Sequence, residues 1–157
     1  MQIPQSGSSR GGVYHAPVAE FLMNLPEFPQ GTNVVGVGID QIEVSRIRQS
    51  IDRHGENFLA KVFTKKEQAF CMERTDSAPC LAARFAAKEA MSKALGTGIG
   101  KEFGWLDMEV GKKKSGQPVA KFSEHGKSAL AQREASSALI SISHLNEIAS
   151  AVVVLIK

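Results

Sequence analysis

The run RFAAKEAMSKALGTGIG, residues 84–100, constrains the fold of this chain more than any other stretch. Extended back to Pro79, a residue suited to a first helical turn, it predicts a helix that stops at Gly96. At 3.6 residues per turn, Leu81, Phe85, Met91 and Leu95 form one broad apolar arc. Ala83, Ala86, Ala87, Ala90 and Ala94 cover the far side, where small side chains permit close backbone packing. Yet Arg84 and Lys88 fall inside the apolar arc. Glu89 and Lys93 stand at its border, four residues apart in the order that suits a helical ion pair. Such a surface pair contributes only about 0.2–0.5 kcal/mol. Three cations and one acid on a helix packed on both sides require partners, because unpaired buried charge is costly. A phosphorylated ligand and a metal ion would supply them.

The flanking segments define the fold class. NVVGVGI reads as a buried strand ending at Asp40. In QIEVSRIRQSIDRHG, Val44, Ile47 and Ile51 cluster on one side of a helix, with Arg46, Ser50 and Arg53 opposite and Gly55 as its stop. Thr64 and Glu67 form a capping-box signature that starts a second helix. FGWLDMEV and PVAKF read as short strands around a Ser115–Gly116 turn, and SEHGKSALAQRE as a helix with Ser123 near its cap. SALISIS and IASAVVVLI are two final strands joined at HLNE. The expected class is α+β, with a mostly antiparallel sheet and packed helices. Residues 34–157 form the expected domain. Residues 1–33, with SGSSRGG and NLPEFPQGTN, read as a weakly ordered extension, and Met23 as the start of a shorter chain.

Several function classes drop out. No apolar run approaches the roughly 18–20 residues of a membrane span, and the first residues lack a secretory pattern. A cytoplasmic location is the expectation. Net charge is +3, a mild tilt toward anionic partners. Cys71 and Cys80 match no zinc spacing and are not read as a disulfide framework, and the four histidines are scattered. GVGID has two of the three glycines of a dinucleotide fingerprint, with Gln41 in the third place. A tight strand-to-helix turn explains them instead, and leaves Asp40 as either a helix N-cap or a functional carboxylate. GTGIG lacks the Lys-Thr pair of a P-loop, although its glycines would let backbone N–H groups approach phosphate. Ser143 and His144 are adjacent and point to opposite faces of a strand, so they do not form a nucleophile and base. Asp107 and Glu109 share a strand face that reads as solvated.

GVGIDQIEVSRI, FTKKE, RFAAKEAMSKALGTGIG, LDMEV with the later GQP, and SISH before an Ala-Val-rich last strand occur in a telling order. Together they resemble the holo-acyl-carrier-protein synthases, bacterial 4′-phosphopantetheinyl transferases, over about residues 34–157. The resemblance implies that family's fold and its reaction. Coenzyme A would donate phosphopantetheine to a serine of an acidic apo-acyl carrier protein, in fatty acid biosynthesis, releasing adenosine 3′,5′-bisphosphate. It implies Asp40 and Glu89 as magnesium ligands and Lys88 and Lys93 as pyrophosphate partners. Glu89, or a water on the metal, is the implied base. Gly96, Thr97 and Gly98 would border the coenzyme, and His144 would approach its phosphates. Arg46 and Arg53 would dock the carrier protein. The family commonly forms homotrimers with active sites between subunits. Ile39 stands where the family often has Thr, and the first 33 residues have no counterpart in its core. The alternative is a basic RNA-binding module using Arg46, Arg53 and Lys112–Lys114, but one Tyr and one Trp leave few aromatics for base stacking. Neither nucleic acid nor a membrane is an expected partner.

Overall fold

The computed structural model describes residues 29–157. The expected N-terminal extension therefore lies almost wholly outside the described residues. Along the chain run β1 (Val34–Glu43), α1 (Val44–Val62), α2 (Lys65–Met72), α3 (Ala78–Leu95), β2 (Met108–Lys112), β3 (Pro118–Phe122), α4 (Glu124–Gln132), β4 (Ser137–His144) and β5 (Ile148–Ile156). Strands β1, β5 and β4 form an antiparallel sheet in that order, and β2 pairs with β3 in a separate antiparallel hairpin. The α+β expectation holds.

Helix α3 is the centre of the molecule and lies across β1 and β5. It buries both of its sides, including Leu81, Ala86, Ala87, Ala90, Met91 and Ala94. Ala149, Ala151, Val153 and Leu155 of β5 are buried too. The two glycines of GVGID lie inside β1, which continues three residues past Asp40. This corrects the tight-turn reading and removes Asp40 as a helix cap. A Cβ on Gly36 would stand 2.3 Å from the Ala94 carbonyl oxygen, and one on Gly38 would stand 1.9 Å from that of Ala90. The alanines of α3 and the glycines of β1 are therefore two halves of one backbone-to-backbone contact. Gly38→Ala is expected to lose at least about 3 kcal/mol, the upper part of the overpacking range, because the obstructing atoms are backbone. Urea unfolding reads this directly, and a stability unchanged within about 0.5 kcal/mol would contradict the contact.

The first helix differs from expectation at Gly55. There the chain takes φ 50° and ψ −130°, a kink rather than a stop, and the helix resumes to Val62. It resumes because Leu59 and Val62 bury a second apolar patch after the kink. The capping box of α2 forms as the sequence predicts: Glu67 N donates to Thr64 Oγ1 (3.2 Å) and Thr64 N to Glu67 Oε2 (2.8 Å). Ser123 caps α4 by accepting from Gly126 N (3.0 Å).

Two further readings are corrected. Strand β2 begins at Met108, so Asp107 does not share its face with Glu109. Asp107 instead accepts from Gly104 N (2.8 Å) and Ser123 Oγ (2.6 Å) and pairs with His125 Nδ1 (2.8 Å), fastening the preceding turn to the start of α4. Cys71 and Cys80 form a disulfide, against the expectation. Sequence spacing hid it because the turn between α2 and α3 doubles the chain back, bringing the two Cα atoms to 5.5 Å.

Candidate active site

Strand alternation places Asp40 on the face of β1 that carries Gly38 and Ile42, toward α3. The missing side chain at Gly38 brings the strand so close that Lys93 of α3 spans the gap. Lys93 Nζ donates to Asp40 Oδ1 (2.7 Å) and to the Ile39 carbonyl (3.2 Å). The Glu89–Lys93 surface pair that the helical spacing allows is therefore not the one formed. Glu89 is half-buried, and its carboxyl pKa is raised by burial first and by the charge of Asp40 second, with Lys93 opposing. Two carboxylates thus repel each other next to a single ammonium. Such a donor set fits a hard divalent cation, because negative charge is in local excess and both donors are oxygens. Among the described residues no group of three or more His, Cys, Asp or Glu side chains could hold a metal by itself. A two-carboxylate site leaves the remaining positions for water and phosphate oxygens, as magnesium usually requires.

Lys88 is placed differently from its neighbour. Its ammonium is 0% exposed, lies 2.8 Å from Glu67 Oε2, and donates to the carbonyls of Val62 (2.7 Å) and Trp105 (2.8 Å). All its protons are engaged, so the expected contact with pyrophosphate is corrected to a structural one. Burial pushes its pKa down while the Glu67 carboxylate opposes that shift. The second oxygen of Glu67 accepts from Val110 N (2.8 Å). This buried pair fastens α1, α2, α3 and β2 to one another. Sequence reasoning missed it, although the demand for a partner to Lys88 and the capping glutamate were both visible.

The glycine loop is also corrected. Gly96 is the left-handed C-cap of α3 and donates to Lys93 O and Ser92 O. Thr97 N and Gly98 N both reach Ser92 O (3.1 and 3.3 Å), and Gly100 N reaches Phe103 O (2.8 Å). The first three amides satisfy the carbonyl end of a helix, whose partial charge is negative, and the Gly100 amide is held within the following loop, so they do not form a phosphate cradle.

Arg46 and Arg53 are exposed on α1 and make no ion pair among the described residues, whereas Arg48 between them is held by Asp76. Arg46 borders a small cleft with Gln41, Glu43 and Ile148. His144 ends β4, exposed, opposite Ala149 of β5, which in turn faces Ile42 of β1. It therefore shares the Asp40 face but stands two strands away, and no hydrogen bond joins it to Asp40, Glu89 or Lys93. On the opposite face, Ile39, Leu139 and Val152 are 64%, 58% and 38% exposed, an apolar surface that nothing covers among the described residues.

Residues 36–153 match the family model of the 4′-phosphopantetheinyl transferase superfamily. The chain is 46% identical over 119 residues to the holo-acyl-carrier-protein synthase of Chlamydia muridarum, covering 76% of this chain and 92% of that protein. It is 40% identical over 111 residues to the corresponding synthase of Trichlorobacter lovleyi, covering 71% and 88%. Among solved structures, it is similar to the Helicobacter pylori synthase in complex with coenzyme A, with a TM-score of 0.68 and 34% identity over 76% of this chain and 98% of that one. The Bacillus anthracis synthase, also in complex with coenzyme A, matches with a TM-score of 0.66 and 39% identity, covering 79% and 97%.

Proposed function

The chain belongs to the holo-acyl-carrier-protein synthase family of 4′-phosphopantetheinyl transferases, and on that premise we propose that it moves phosphopantetheine from coenzyme A to a serine of an apo-acyl carrier protein. The observation that carries this reading is the convergence of Asp40, Glu89 and Lys93 between β1 and α3. In the reaction the serine oxygen bonds to the pantetheine-side phosphorus of the pyrophosphate. The bond from that phosphorus to the bridging oxygen breaks, and adenosine 3′,5′-bisphosphate leaves. Transfer of this kind depends mainly on positioning and charge neutralisation.

Asp40 and Glu89 are the residues that would hold magnesium, whose chemistry there is to neutralise the pyrophosphate. Lys93, already 2.7 Å from Asp40 and partly exposed, fixes the Asp40 carboxylate and presents a positive charge to the leaving group. Glu89 is the candidate acceptor of the serine proton. Arg46 and Arg53, without an ion pair among the described residues, offer an acidic carrier protein a basic helix face, which sets encounter rate and register.

The apolar face around Ile39, Leu139 and Val152, which no described residue covers, supports self-association. The family's homotrimer is the form we propose, with His144 completing the site of a neighbouring subunit. Action in fatty acid biosynthesis in the cytoplasm belongs to the same reading. Calorimetric titration with coenzyme A tests the metal assignment. Binding is expected to tighten about tenfold or more when magnesium replaces EDTA, in line with typical coupling energies of about 1–3 kcal/mol. Equal affinity in both buffers would refute it.

A further inference from the structure

The Cys71–Cys80 bond lies against a buried cation for which the transfer reaction has no use. Arg84, four residues after Cys80 in α3, is only 8% exposed. Its hydrogen-bond acceptors are the Cys80 carbonyl oxygen (3.3 Å) and Cys80 Sγ (2.9 Å), while its Nε has no partner among the described residues. No carboxylate among the described residues pairs with it. Its guanidinium stacks on Phe70, 4.5 Å from the ring centroid. Burial pushes its pKa down to about 10, with Glu67 opposing and Arg74 adding to the shift. A guanidinium so placed lacks an anion among the described residues, and the sulfur it touches is neutral in the disulfide but negative as a thiolate.

We propose that Cys71 and Cys80 are a reversible dithiol–disulfide pair, a redox modification site, in which Arg84 is the counter-ion of the Cys80 thiolate in the reduced protein. A cation at hydrogen-bond distance stabilises the thiolate, which is the nucleophile of thiol–disulfide exchange. With a low-molecular-weight disulfide as oxidant, the Cys80 thiolate attacks one of its sulfurs, forms a mixed disulfide and releases the first small thiolate. Cys71 gives its proton to solvent, and its thiolate attacks Cys80 Sγ, forming the internal bond and releasing the second. Two protein thiols are oxidised and one small disulfide is reduced to two thiols.

The 5.5 Å Cα separation lies within the ordinary range for a disulfide. Because Cys71 and Cys80 are 0% and 2% exposed, exchange passes through opening of the exposed turn at residues 73–76. That turn is tied down by exposed contacts, Arg48 to Asp76 and Arg74 to the Phe70 carbonyl. Arg84 and Phe70 also line a groove with Lys66, Lys112 and Lys121, so opening or closing the bond changes the charge at its wall.

The full-length protein is reduced, freed of reductant and exposed to oxidised glutathione, with the loss of two free thiols followed by mass. Wild type is expected to close. Ultraviolet thiolate absorbance of Cys71→Ser, which leaves Cys80 alone, is expected to titrate at least about one pH unit below the ordinary thiol value of roughly 8.5. Arg84→Gln in that background is expected to raise the midpoint by about one unit or more, and Arg84→Lys to restore much of it. A Cys80 midpoint at or above the ordinary value, or a reduced wild type that stays open, overturns the proposal. The Cys71→Ser midpoint decides the matter even if Arg84→Gln fails to fold.

Discussion

Glu89→Gln is expected to lower kcat/KM for transfer by about 10²–10³-fold, the scale of losing one charge-stabilising group at a reacting centre. The substitution keeps shape and removes only the negative charge. Stability should hold or rise slightly. The raised pKa of Glu89 means that folding disfavours its charged form, because of burial and Asp40, so a neutral amide relieves that penalty. The combination of a lost reaction and an intact fold separates a functional carboxylate from half of an ordinary helix-surface pair. A variant within about threefold of wild-type rate would remove Glu89 from the chemistry.

Lys88→Met should do the reverse. Its ammonium has no route to a ligand and three partners inside the protein, so its loss strands the Glu67 carboxylate in the core. Breaking a buried pair by removing one partner costs about 3–5 kcal/mol. Urea unfolding at pH 7 is the measurement, and a loss under about 1 kcal/mol would contradict the assignment. Adding Glu67→Gln should recover part of the stability, because the stranded charge is then gone and the amide still faces Val110 N. If Lys88 contacted pyrophosphate instead, Lys88→Met would fold normally and lose only coenzyme affinity.

These two residues, adjacent on one helix, show how far the sequence carried the account. Helix α3 was legible because its signals are local: a first-turn proline, a glycine stop and an alanine face. So were the Thr64–Glu67 capping box and the last two strands, whose patterns each span a few residues. The fold class followed from their order, and the family from the motifs carried in that order. What surrounds α3 on each side was not local. Lys88 and Lys93 look alike in sequence, yet one meets the glutamate of α2 and the other the aspartate of β1. Gly36 and Gly38 looked like a turn because their reason for being glycine is the backbone of a helix more than fifty residues away. The amides of the GTGIG loop are taken by carbonyls of the helix end and of the loop itself, which the glycine pattern does not record. The disulfide and the Asp107 clamp likewise depend on turns whose direction no composition signal records.

Phosphopantetheine transfer is read from the mass of an apo-acyl carrier protein after incubation with the enzyme, coenzyme A and magnesium. The carrier protein is expected to gain one phosphopantetheine group on a serine, with adenosine 3′,5′-bisphosphate released in equal amount. The gain is expected to disappear with EDTA and with Glu89→Gln. An unchanged carrier-protein mass with folded wild-type enzyme would contradict it, as would a full gain in the presence of EDTA.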